Sequence, residues 1–228
     1  MPRVRKEKVY RATQDAIKET AWRHIAEGDA SALSLRAIAR DMDITAPAIY
    51  RYFPDRDALV TALIVDAYTD FGDAQLTARD AIPPDDLVGQ LLATGRAYRQ
   101  WALAHPQRFR LIFGTPIPNY VAPRECVMPA ASRALSALVS VVEALQAAGR
   151  LRPEAAVAVA DVPAPEFEAW QHLAVPATAG SFFTAVLIWA RVHGLVTLEV
   201  SHHLPPFGPS PDELYEHELK LIAQQFTK

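Results

Sequence analysis

The chain of 228 residues has one cysteine, Cys126, which excludes an intrachain disulfide and any multi-cysteine metal site. A lone cysteine is ordinarily a small side chain, buried or half-buried. Glycine is scarce as well, and the nine that occur are too scattered to make a phosphate-cradling loop. The longest apolar run worth testing as a membrane span, Phe182 to Ala190, is short and is followed by Arg191, His193 and Glu199, so no membrane partner is expected. The opening MPRVRKEKVY is basic without a following apolar segment and cleavage site, so no secretory signal is expected and the protein is placed in the cytoplasm. No nucleophile with a base and a strained elbow is found, so no enzyme activity and no cofactor are expected. Long polar low-complexity tracts are missing too. With half of the residues hydrophobic and 21% charged, the chain is expected to fold around a proper core.

What is present is an uneven distribution of charge. Residues 1–56 hold 11 Lys/Arg and 8 Asp/Glu, whereas residues 57–228 hold 12 and 18, so a net charge of −3 conceals a positive head and a negative body. A basic head suits a polyanionic partner, and an acidic body does not.

Hydrophobic periodicity predicts helices throughout and no strand alternation. A first helix is expected over Glu7 to Glu27, with Val9, Ala12, Ala16, Ile17, Ala21 and Ile25 recurring, stopped at Gly28-Asp29. Ser34 is a suitable N-cap for a second, in which Leu35, Ile38, Ala39 and Met42 form one narrow apolar face ending at Asp43. Thr45 caps a third, with Pro47 in the first turn and Pro54 stopping it at Phe53. Asp55 caps a fourth, linking helix, running to about residue 80 with Leu59, Leu63 and Phe71 on its apolar side. Further helices are expected over about 87–104, Pro106–Phe113, 127–149, 180–203 and 212–226, with GTPIPNYVAP and DVPAPEF as connections and Pro163 to Pro176 poorly ordered. The fold class is therefore all-α, divided into residues 1–56 and residues 57–228.

Two short helices meeting at DMDIT have the form of a helix-turn-helix, whose second helix projects its first turns into a major groove about 12 Å wide. Ala46, Pro47 and Ala48 allow close approach to base edges. Thr45 and the helix start can take a phosphate, and Tyr50, Arg51 and Tyr52 offer hydrogen bonds to phosphates or bases. Lys6 in the basic arm (Arg3, Arg5, Lys6, Lys8, Arg11), together with Arg36 and Arg56, extends the candidate DNA-binding set. Ile49 and Phe53 are expected to hold this helix to Leu35, Ile38 and Leu59. The competing reading is an ordinary helical hairpin whose aromatics are core, which Tyr50-Arg51-Tyr52-Phe53 alone would favour.

The stretch SLRAIARDMDITAPAIYRYFPDRDALV resembles the DNA-binding signature of the TetR family of bacterial transcriptional regulators, over roughly residues 7–66. Ile38-Ala39, Ile44-Thr45, Ile49-Tyr50, Tyr52-Phe53 and Leu59 fall at that family's spacing. Asp43 stands where the family usually has glycine, and Arg56 where it usually has lysine. Asp tolerates a left-handed backbone better than most residues. The resemblance implies a homodimer that binds double-stranded DNA and a C-terminal helical domain that dimerises and binds a small molecule. AHPQRFRLIFGTPIPNYVAP and WARVHGLVTLEV are similar to a subset of such regulators with a Trp-His-Gly signature, carried here by Trp189, His193 and Gly194.

The segment 180–203 is apolar almost all round, which calls for burial on more than one side. A subunit interface with 212–226 is expected to supply it, through Phe183, Leu187, Leu195, Leu198, Leu219 and Ile222. A pocket for a small apolar or aromatic effector would draw on Trp101, Phe109, Phe113, Tyr120, Trp170, Trp189 and His193, although such aromatics are more often core. For Trp189 and His193, packing is favoured over ligand contact. Glu199, His202 and His203 have a spacing that could ligate metal on a helix, yet no third strong ligand is visible, so no metal site is expected. The reading is thus a ligand-responsive repressor acting as a homodimer on a pseudo-palindromic operator. Its alternative is a helical small-molecule-binding or protein-interaction module without DNA binding.

Overall fold

The computed structural model describes residues 2–28, 30–158, 168 and 175–228. Among these the regular structure is helical, with no strand and one isolated antiparallel bridge between Leu151 and Thr227. Nine α-helices are described: α1 (Pro2–Glu27), α2 (Leu35–Asp41), α3 (Ala46–Ile49), α4 (Arg56–Asp80), α5 (Leu87–Ala104), α6 (Pro106–Phe113), α7 (Arg124–Ala147), α8 (Ala179–Val200) and α9 (Pro211–Phe226). A 3-10 turn, Ala30–Ala32, separates α1 from α2.

Side chains at the helix starts satisfy amides that have no intrahelical partner. Asp55 accepts from the Ala58 N–H at 2.7 Å, Asp86 from Gly89 at 2.8 Å, and Thr178 from Ser181 at 3.2 Å. At α9 the cap is reciprocal: Ser210 accepts from the Glu213 amide while Glu213 accepts from the Ser210 amide at 2.8 Å.

Among the helix ends that differ from expectation, three bear on the candidate sites. α1 starts at Pro2 instead of Glu7, because proline is tolerated in a first turn and the Glu7–Arg11 pair, 2.8 Å apart at i,i+4, supports the helix. The basic segment is therefore the first turns of α1 and not a separate arm. α3 ends at Ile49, four residues before Phe53, because the amides of Arg51 and Tyr52 turn back to the Ala48 and Ile49 carbonyls in tight i→i+3 bonds. α8 ends at Val200, and His202 lies beyond it with a left-handed backbone, φ 55°.

The chain packs as two compact units, residues 1–67 with 107–127, and residues 68–106 with 128–228. The boundary between these units lies within α4, and residues 107–127, which include α6 beyond Pro106, group with the first unit. Leu59, Val60 and Leu63, at the start of α4, are fully buried beside the other core residues of that unit, Ile17, Ala21, Ile38 and Ile49. The second unit is built on Phe71, Leu91, Tyr98, Val139, Val142, Leu145, Ile188, Val196, Tyr215 and Phe226. Its helices approach closely at two glycines. A Cβ added at Gly72 of α4 would lie 3.0 Å from the Ala134 Cα of α7, and one at Gly95 of α5 would lie 2.6 Å from Leu219 of α9. α7 and α8 are long and apolar enough to cross a membrane by length and composition alone, a test that a buried core helix also passes. Cys126 is exposed, contrary to the usual place of a lone cysteine. Trp170 and most of the stretch from Pro163 to Pro176 lie outside the described residues.

Candidate nucleic-acid interface

α2 closes with a C-terminal turn in which Asp43 takes the position that glycine usually fills. Its φ is 53°, its N–H donates to the Arg40 carbonyl at 3.1 Å, and the Ile44 N–H reaches back to Ala39 at 2.9 Å. This pair of bonds satisfies the last carbonyls of α2 and reverses the chain in two residues. The left-handed backbone is the one Asp43 was expected to adopt. Thr45 follows in extended conformation as the residue before α3, and its hydroxyl makes no capping bond.

α3 faces two ways. Ile49 and Phe53 are buried, as are Leu35, Ile38 and Leu59, the partners expected for them. Thr45, Pro47, Tyr50 and Arg51 are exposed, while Ala46, Ala48 and Tyr52 are half-buried. Arg36 on α2 and Lys6 on α1 are exposed, and among the described residues neither is in an ion pair. Arg56 differs: its guanidinium donates to the Ala30 carbonyl at 3.0 Å and to Asp57 at 3.3 Å, so it braces the 3-10 turn.

Two further residues, neither anticipated, secure this surface. The Tyr10 ring stacks on Tyr52 with centroids 4.8 Å apart and planes 29° apart, and its hydroxyl donates to the Arg51 carbonyl at 3.2 Å. His24 on α1 meets Asp41 at the end of α2 at 2.6 Å. Both contacts join residues distant in sequence, and no local pattern announces them. Elsewhere in the first unit Arg108 lies over the Trp22 ring at 5.4 Å, Phe109 packs against Phe113 at 5.2 Å, and Tyr120 shares a hydrogen bond with Thr61 at 2.9 Å.

In the second unit the half-buried Trp189 and His193 form a polar and aromatic cluster with the buried Tyr98. His193 Nδ1 is 2.7 Å from the Tyr98 hydroxyl, its Nε2 is 3.3 Å from Thr197, and the Trp189 ring packs against it tilted by 38° with centroids 5.0 Å apart while donating to Tyr98 at 3.4 Å. Trp101 donates to Asp70 at 2.9 Å and packs on Phe71. Burial lowers the His193 pKa from its ordinary value and raises that of the Tyr98 phenol. Both ring nitrogens of the half-buried His193 are occupied by neighbours within the unit.

Of the six residues expected at a subunit interface, Phe183, Leu187 and Leu198 are exposed on one stripe of α8 and Leu195 is half-buried. Leu219 and Ile222 are not available: at 3% and 1% exposure they fill the chain's own core, Leu219 against Gly95, and it is Leu221 on α9 that is exposed. Gly194 lies on the α8 stripe, and a Cβ there would meet nothing within 4 Å. Glu199 is committed to Arg99 in a two-pronged bond of 2.6 and 2.7 Å, and His202 and His203 fall past the helix end, so the metal-ligating register does not form.

A two-residue reversal, a short helix with small side chains first, and a basic exposed rim make this a helix-turn-helix surface for duplex DNA. Residues 17–63 match the family of bacterial regulatory proteins called the tetR family, and residues 91–222 match the tetracyclin repressor-like C-terminal domain. The HTH-type transcriptional regulators Rv1816 of Mycobacterium tuberculosis and Mb1846 of Mycobacterium bovis are 35% identical over 184 residues, 81% of this chain and 79% of theirs. The crystal structure of the regulatory protein SCO4313, 35% identical, superposes with a TM-score of 0.75 over 95% of this chain and 97% of that one. A protein of unknown function from Rhodococcus sp. RHA1, 21% identical, shares the fold with a TM-score of 0.73 over 94% and 95% of the two chains. The chain belongs to the TetR family of bacterial transcriptional regulators, and it is a DNA-binding regulator.

Proposed function

We propose that the protein is a ligand-responsive repressor that binds a pseudo-palindromic operator as a homodimer. The observation that carries the reading is the exposed side, Thr45, Pro47, Tyr50 and Arg51, of α3 and its flanking turns, whose other side, Ile49 and Phe53, is locked into the core. Arg51 and Tyr50 take base edges. Thr45, Ala46, Pro47 and Ala48 bring the backbone close, and Lys6, Arg36 and Tyr52 lie where phosphates would pass. Arg56 acts by holding the turn before α2, with phosphate contact secondary.

Dimerisation is assigned to the α8 stripe. Phe183, Leu187, Ala190, Gly194 and Leu198 follow one another at helical spacing on an outer face, and the open space over Gly194 admits close approach of a second helix. Replacing Leu187, 50% exposed, by glutamate should convert dimer to monomer in sedimentation while leaving the helical content intact. Two heads on one two-fold axis would then address half-sites about 34 Å apart.

The effector is taken to be a small apolar or aromatic molecule, in keeping with the aromatic content of the body. Its binding favours a head spacing that no longer matches the operator. The regulator performs no covalent chemistry in this reading, and membership of a family of transcriptional regulators is the support. Selection of bound duplexes from a random library at low and near-physiological salt tests the central claim: a pseudo-palindrome is expected, and recovery of no preferred sequence would sink it.

A further inference from the structure

We infer that Tyr10 is a positioning residue for DNA reading, joining the reading helix and the basic start of α1 into one rigid unit. This deepens the DNA-binding assignment and rests on it. α3 is only four residues long, far below the length at which a helix holds itself in water, and past Ile49 the chain continues in i→i+3 turns, the Arg51 amide nitrogen lying 3.3 Å from the Ala48 carbonyl oxygen. The segment that carries Tyr50, Arg51 and Tyr52 therefore needs an external clamp. Ile49 and Phe53 provide one on the buried side. On the outer side the contact comes from Tyr10, whose ring covers Tyr52 and whose hydroxyl ties the Arg51 carbonyl. With the carbonyl held, the Arg51 side chain is directed outward from a fixed backbone.

The same clamp acts in the other direction. The first ten residues of α1 contain no buried side chain among those described, and Val9 beside Tyr10 is largely exposed. Ahead of the buried Ile17, Tyr10 is thus where the first turns of α1 meet the reading surface. Arg5, Lys6 and Lys8 lie within two turns of it on α1. Their charges sit at set distances from α3, so phosphates beside the half-site and bases inside it are met together.

The test compares wild type with Tyr10→Phe and Tyr10→Ala on the selected operator and on a scrambled duplex across a salt series. Tyr10→Phe keeps the stack and loses only the hydroxyl. It should bind the operator about threefold more weakly, with Tyr10→Ala about tenfold weaker, in proportion to one neutral hydrogen bond and one ring pair. Affinity for the scrambled duplex and the salt slope should stay at wild-type values, and base preference within the half-site should relax. Unchanged operator affinity and preference in both variants would overturn the inference, as would an equal loss on both duplexes with a reduced salt slope, which would make Tyr10 a phosphate contact. If Tyr10→Ala unfolds, Tyr10→Phe alone decides. Failure of wild type to prefer any sequence would instead defeat the DNA-reading assignment itself.

Discussion

The arginines around the turn of the first unit are left open, whereas most of those across the second unit are closed in ion pairs. Arg11 and Arg56 of the first unit, paired with Glu7 and Asp57, lie away from the open face. In the second unit Arg96 pairs with Glu216, Arg99 with Glu199 and Asp212, Arg133 with Asp73, and Arg191 with Glu218 and Gln225. In the first, Arg36, Arg40 and Arg51 are exposed around the turn, and none is in an ion pair among the described residues. Charges closed against one another serve architecture, whereas charges left open serve a partner that brings its own. The overall charge of −3 says nothing of this; it is the difference between the units that separates a surface for DNA from one that repels it.

That contrast can be broken from either side. The largest expected effect is on the body: Leu145→Ala, at a fully buried position, should destabilise the protein by about 2–5 kcal/mol in denaturant titrations and leave half-site preference unchanged. Arg51→Ala or Tyr50→Ala should do the reverse, costing about 1–3 kcal/mol of operator affinity with base preference relaxed and the unfolding midpoint unmoved. A change in the midpoint would show that the open face is also structural. Asp43→Gly relieves the left-handed backbone at the turn and should stabilise the head by about 0.5–1 kcal/mol in denaturant titrations. That gain is offset in part by the freer unfolded chain. The smallest effect concerns pH. His193 has a folded pKa below its unfolded value because burial disfavours the charged ring, so the unfolded chain takes up the proton first as pH falls. Stability should be full above about pH 6.5 and decline below it, and His193→Gln should flatten that part of the profile.

The head was largely legible in the sequence because its determinants are local. Ser34, Asp43 and Asp55 are short-range signals, and the structure places a cap or a left-handed turn at each. What was misread depends on energies that periodicity does not carry. The end of α3 is settled by i→i+3 bonds at Arg51 and Tyr52, and the helical pattern continues through them unchanged. On α9, Leu219 and Leu221 are two residues apart and indistinguishable by composition; the space above Gly95, 120 or so positions earlier, decides which of them is buried. Tyr10 and His24 were passed over for the same reason, since their partners lie 41 and 17 residues away.

The exposed thiol of Cys126 has a practical consequence. As the sole cysteine, and one placed in the unit that carries the reading helix, it accepts a maleimide probe or spin label without mutagenesis. A dimer so labelled carries one probe per head and yields a single interprobe distance. Recording that distance with and without operator would turn head spacing into a direct spectroscopic readout, against which any candidate effector can be titrated.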